Sequence, residues 1–219
     1  PTRIMFDLGA LFATEYCQDV DAAITDIREF LNSDEKLATK KIDAIFLSHG
    51  HEDHIGGYVH LVRAGFVMPA TYASKETLEL LKAALQEANI DTNKWPKMFE
   101  VTPQKAIHFD KLEIEAFNVS HSTMGALGYH TLTYIDDQPE AGILHPGDYH
   151  LGKIRVGKGF DENELKDLLN RKLTTNVILD STSSASSDKY NVDHDDAVYN
   201  TVNEINKHSE KQVISAVIS

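Results

Sequence analysis

Ser48-His49-Gly50-His51-Glu52-Asp53-His54-Ile55-Gly56-Gly57 gathers three imidazoles and two carboxylates into ten residues. The apolar run Ile42 to Leu47 comes directly before it and reads as a buried strand. Residues i and i+2 of an extended segment point the same way, so His49 and His51 can grip one metal ion. Asp53 and His54 follow where the chain turns into a helix, and they can face a second ion. Nitrogen and carboxylate donors suit zinc or manganese. Gly50, Gly56 and Gly57 let the backbone pass close to such a site. A solvated histidine-rich loop would not need this strand-to-helix context.

Two further stretches end in the same way. Val119-Ser120-His121-Ser122 closes an alternating strand, and Ile143-Leu144-His145-Pro146-Gly147-Asp148 closes another through a tight Pro-Gly turn. Alone, His121 would be an ordinary strand-end histidine and Asp148 a turn residue. Beside the first cluster they complete a cage, with Asp148 able to bridge two ions.

The rest of the chain sets the frame. It has 219 residues, 42% hydrophobic and 25% charged, enough for one ordinary domain and part of a second. That apolar content excludes a disordered chain. No apolar run is long enough to span a membrane, and secretory signal grammar is absent. The single cysteine, Cys17, excludes a disulfide framework or a multi-cysteine zinc site within this chain. A net charge of −13 leaves no overall basic footprint for nucleic acid, although bound cations reverse the sign locally. The opening Pro1-Thr2-Arg3-Ile4 and the apolar close Gln212 to Ser219 read as a piece cut from a longer protein.

Strands and helices alternate. Val20, Ile24, Ile27 and Leu31 form one helical stripe. Ser74 caps a helix carrying Leu78, Leu81, Leu85 and Ala88. Leu112-Glu113-Ile114-Glu115-Ala116 alternates and reads as a half-exposed strand. Tyr129 to Ile135, Gly142 to Leu144 and Asn176 to Leu179 are further strands, and Leu165, Leu168 and Leu169 mark a short helix. Val198, Val202 and Ile205 mark a last helix. Ser181 to Ser187 reads as a joint between two units. Asp193-His194-Asp195-Asp196 looks metal-like but sits where a helix begins, which acidic residues favour. Trp95, before Pro96, reads as a hydrophobic plug.

The ordered set His49-x-His51-x-Asp53-His54, His121 and Asp148 resembles the metallo-β-lactamase superfamily. Asp7, in Phe6-Asp7-Leu8-Gly9, is similar to its first motif, an aspartate behind the metal ligands. The resemblance implies an α/β fold, a four-layer αβ/βα sandwich with metals at the sheet edges. The stretch Phe46 to Gly57, Ser120 to Gly128 and His145 to Asp148 are similar to the ribonuclease J family, and Leu179-Asp180-Ser181-Thr182 resembles the acidic motif that opens a β-CASP region. This implies a metallo-β-lactamase domain over 1–185, lacking its first strands, and the beginning of an inserted β-CASP domain over 186–219.

The same resemblance implies a metal-dependent phosphodiester hydrolase acting on RNA as exo- and endonuclease. His49, His51 and His121 would hold one divalent ion, Asp53 and His54 the second, and Asp148 would bridge. Zinc is expected first and manganese second. Asp7 would orient a ligand histidine, and Asp53 and Asp180 are the expected catalytic carboxylates, Asp180 pairing with a proton-donating histidine downstream of Ser219. A last metal-ligand histidine is expected there as well. The family's lysine two residues after the bridging aspartate is His150 here. Expected partners are RNA and a second copy through regions outside this sequence, without a membrane and in the cytoplasm. Lys153, Arg155 and Lys158 could touch phosphates, although a solvated charged face is the better reading of the trio. Two alternatives stand beside this. One is a compact thioester or lactone hydrolase of the same superfamily, glyoxalase II-like, with His194 as its extra ligand. The other is a non-catalytic subunit of an RNA-decay assembly.

Overall fold

The computed structural model describes residues 2–12, 22–27, 30, 41–150 and 158–180. Within them, two sheets are stacked between helices. The first sheet has four parallel strands in the order β1 (Ile4–Phe6), β4 (Ala44–Phe46), β5 (Ala70–Ala73) and β6 (Met98–Glu100). The second has five, in the order β11 (Asn176–Val177), β10 (Gln138–His145), β9 (Leu127–Ile135), β8 (Leu112–Asn118) and β7 (Ile107–Phe109). The pairs from β7 to β10 are antiparallel and β10–β11 is parallel. A small antiparallel pair, β2 (Ala10–Phe12) with β3 (Ala22–Ile24), lies apart.

The apolar run before the histidine motif explains the layering. Ile45 and Leu47 face one way, into a core with Leu78, Leu81 and Leu85 of α3 (Lys75–Glu87) and with Tyr58, Leu61 and Val62 of α2 (Gly57–Arg63), which follows the single turn α1 (Glu52–Ile55). Ala44 and Phe46 face the other way, into a core with Ile114, Ala116, Leu127 and Tyr129 of the second sheet. Beneath that sheet, Phe117 and Leu144 pack on Leu168 of α4 (Glu162–Arg171). The order is therefore helix, sheet, sheet, helix, the four-layer sandwich expected. The α3 cap is also as expected: the Ser74 hydroxyl accepts the Thr77 N–H at 3.2 Å.

Three expectations are corrected. Ile24 belongs to strand β3, paired with Ala10, and not to a helix from Val20 to Leu31. Its three-residue spacing to the buried Ile27 is a coincidence of a short strand followed by another core position. The Leu112–Ala116 strand is buried on both faces, because α4 lies over the Glu113 and Glu115 side. The last described strand stops at Val177, short of the expected Leu179. Cys17, Lys153, Arg155, the Ser181–Ser187 joint, the Asp193–Asp196 cluster, the last helix and the apolar close Gln212 to Ser219 lie outside the described residues. So does the 186–219 unit. Trp95 is half-buried against the first core, its indole N–H donating to the Ile90 carbonyl at 3.0 Å. No described helix is long and apolar enough to cross a membrane.

Candidate metal centre

Every chemistry-bearing loop leaves the same edge of the sandwich. In the first sheet, β1 delivers Asp7 and β4 delivers Ser48 and His49, because the two strands are parallel and adjacent. In the second, β8 and β10 both run antiparallel to β9 and so emerge together, one leading to His121 and the other to Asp148. Two bonds lock these ends. The Leu127 N–H donates to the Ser48 carbonyl at 2.8 Å, joining the sheets, and the His150 N–H donates to the Ser120 carbonyl at 2.7 Å, joining the His121 and Asp148 loops. Gly147, at φ +66°, makes the turn before Asp148. Gly9 is required by proximity: a methyl group there would fall 1.5 Å from the Asp53 carbonyl oxygen.

The side chains converge into two triads. His49, His51 and His121 form one, and His49, His54 and Asp148 the other, with the candidate ligand atoms of each set within 4.8 Å of one another. His49 Nε2 and His121 Nε2 lie 3.0 and 3.1 Å from His51 Nδ1. His54 Nε2 is 3.4 Å from Asp148. Asp53 stands next to this group, 3.7 Å from His54 Nε2, but exposed and in neither triad. Asp180 is exposed beyond β11, which runs parallel to β10 and so leads toward the same edge.

The hydrogen bonds behind the cluster fix its tautomers. Asp7, held at φ 57°, accepts the Ser48 N–H at 2.7 Å and the Ser48 hydroxyl at 2.8 Å. Having donated to Asp7, that hydroxyl accepts from His49 Nδ1 at 3.0 Å, which leaves the His49 Nε2 lone pair facing the cluster. Asp7 also accepts from His54 Nδ1 at 2.9 Å, which bares His54 Nε2 toward Asp148. The Ser122 hydroxyl lies 3.3 Å from His51 Nε2, so His51 can turn a bare Nδ1 inward. Lone pairs aimed at one another at such separations repel unless a cation lies among them. The donor set thus fits a divalent metal.

The family to which this architecture belongs can be settled independently. The β-lactamase superfamily domain matches residues 20–161, well over half of the chain. The chain belongs to the β-lactamase superfamily. Among its curated relatives, this superfamily member is 26% identical over 212 residues to ribonuclease J of Mycoplasma pneumoniae, covering 96% of the chain and 34% of the relative. It is 32% identical over 124 residues to ribonuclease J 2 of Staphylococcus saprophyticus, covering 57% of the chain and 21% of the relative. It therefore spans only about a fifth to a third of the relatives it matches. A solved protein of unknown function from Enterococcus faecalis shares the fold at a TM-score of 0.59 and 18% identity, over 93% of the chain and 52% of that protein.

Electrostatics in this superfamily member's site favour metal-ready imidazoles. Burial first, then the neighbouring His54, His121 and His51, pushes the His49 pKa down to about 2. Burial and His51 likewise lower His121. Burial also acts to lower His54, but the hydrogen bond and charge of Asp7, with Asp148 and Asp53, outweigh it and raise the value. Neutral imidazole is the ligating form, and the acidic side of the site attracts cations.

No local sequence pattern assigns Ser48 a role, because its partner Asp7 lies 41 residues away. In the sequence, His145 reads only as part of a turn motif. It is half-buried at the end of β10, its Nδ1 has no hydrogen-bond partner among the described residues, and burial lowers its pKa. Lys158 pairs with Glu164 at 3.3 Å on the surface, consistent with a solvated charge.

Proposed function

We infer that this chain carries the metal-binding half of a phosphodiester hydrolase that acts on RNA. The observation that supports it most is the pair of triads sharing His49, one all-imidazole and one containing the Asp148 carboxylate. Such a set suits two ions side by side, and the ribonuclease names of the relatives point to the substrate. His49, His51 and His121 would hold the first ion. His54 and Asp148, with Asp53 turning inward, would hold the second. Divalent ions bound there would supply charge neutralisation at phosphorus and lower the pKa of a water. The protein's own part is positional. Asp7 and Ser48 hold His49 and His54 in one tautomer, and the bonds at Ser48 and Ser120 keep the two sheet edges in register. Zinc is the expected metal and manganese the second choice.

In this reading residues 1–185 form the metallo-β-lactamase domain and 186–219 begin a β-CASP domain. Asp180 would act with a histidine outside this sequence to protonate the leaving oxygen. The decisive measurement uses metal-loaded protein with bis(p-nitrophenyl) phosphate, a labelled RNA and a thioester side by side. Hydrolysis of both phosphodiesters, lowered by roughly a hundred-fold or more in His51→Ala and Asp148→Ala, is the expected result. Cleavage of the thioester alone would overturn it in favour of an acyl hydrolase.

A further inference from the structure

A cavity of about 750 Å³ opens directly beside the metal cluster. Its floor is Gly50 and His51, and its sides are the first turns of α3 and the loop after His121. His51 belongs to both places: one ring nitrogen faces His49 and His121, and the other lies near Ser122, which also lines the cavity. Whatever enters the cavity is therefore adjacent to the reacting centre. Its walls are unusual for a protein surface. Leu80, from α3, is 43% exposed and Met124, from the loop, 52% exposed, and both border the opening. Gly50 lets Leu80 reach in, since a methyl group at residue 50 would lie 2.3 Å from the Leu80 Cδ1.

The polar lining carries a sign. Glu76 and Glu79, three residues apart on α3, face the cavity against one ammonium, Lys75. Glu79 already accepts from Lys82 at 2.8 Å. With Glu79 engaged by Lys82, the Glu76 carboxylate is the acceptor this lining offers a ligand. Such a lining suits a flat, apolar-faced group with N–H donors on its edge. In an RNA strand crossing the metal cluster, that group is a base.

We propose that this cavity seats one nucleobase of the RNA beside the scissile phosphate, with guanine preferred. This rests on the RNA reading above. Leu80 and Met124 supply apolar contact to the two base faces. Guanine offers N1–H and N2–H as parallel donors to a single carboxylate. Uracil places carbonyl oxygens on either side of its lone N–H, and these oppose a carboxylate. Adenine and cytosine, with one exocyclic amine each, rank between. The cavity would thus set where along a strand the site engages.

The test is equilibrium binding, by fluorescence anisotropy, of metal-loaded protein to nuclease-resistant phosphorothioate oligouridine, with and without a single central guanosine. The guanosine strand should bind roughly ten-fold tighter. In the Glu76→Ala/Glu79→Ala double variant that ratio should fall to about one. Alanine favours the helix, so the fold is kept. Met124→Ala should weaken both strands. Equal binding of the two strands, no binding of either, or an unchanged ratio in the double variant would overturn the proposal. Guanosine-selective binding without RNA hydrolysis would leave the cavity assignment standing and remove the hydrolase reading. Hydrolysis without base selectivity would do the reverse.

Discussion

The Ser48 hydroxyl stands between the Asp7 carboxylate and the His49 ring, at 2.8 and 3.0 Å. Replacing it with hydrogen frees the His49 ring to rotate or to change tautomer, while the ligating atom itself is retained. Ser48→Ala should therefore weaken zinc binding by roughly ten- to a hundred-fold, as loss of a supporting hydrogen bond does at other metal sites. Competition with a chelating indicator reads this directly, and wild-type affinity in the variant would show that Ser48 only packs. Residues that act through contiguous chain, such as His49 with His51, were legible because strand periodicity alone aligns them. Ser48 was not legible, because its role depends on a partner delivered by a different strand.

At the level of elements, α4 is fastened to the second sheet by charge. Arg171 Nη2 lies 2.8 Å from Glu115, and Lys172 Nζ reaches Glu113 and also Glu115 at 3.2 Å. The Tyr134 hydroxyl donates to Glu113 at 2.9 Å. Glu113 and Glu115 are both buried. Removing the ammonium strands carboxylates that have left water, so Lys172→Ala should cost about 3 kcal/mol of unfolding free energy in a urea titration. A change below about 0.5 kcal/mol would mean that the carboxylates are effectively solvated. The same network explains a misreading. Two glutamates alternating with apolar residues are the ordinary signature of a strand with one wet face. Only the basic end of a helix nearly sixty residues later converts that face into an interior. By contrast α3 was fully legible, because the Ser74 cap and the Leu78, Leu81, Leu85 stripe are local signals.

Across the whole molecule, buried imidazoles make stability depend on pH. His49, His121, His130 and His145 all have their pKa values lowered by burial from the ordinary value of 6.5. Below pH 6.5 the unfolded chain therefore binds more protons at these positions than the folded one. Their contribution is complete above 6.5 and drains away as pH falls toward the lowered values. His54 is raised and acts oppositely, stabilising at pH below 6.5, but among the described residues it is one against four. Bound metal shifts the balance the same way as the four, since protons compete for its ligands. The melting temperature should drop on going from pH 7.5 to 5.5, and a rise would contradict the burial of these rings. Chelator should lower it at pH 7.5 in metal-loaded protein. Burial of β4, Ala44 to Phe46, was legible in its apolar run, while the order of layers came with the family resemblance. Which helix covers which sheet did not follow from it, since layer assignment rests on contacts between distant segments.

The 2.8 Å bond from Leu127 to the Ser48 carbonyl means that the cage is shared between two halves of the chain. Three of its imidazoles emerge from the ribosome nearly a hundred residues before Asp148 does. A nascent chain can offer a few loose nitrogens early, but it acquires a proper seat for ions only after the later sheet has docked. Either ion seat, if filled, would thus be complete only in a chain whose two sheets have docked, since His49 and Asp7 leave the first sheet and His121 and Asp148 the second.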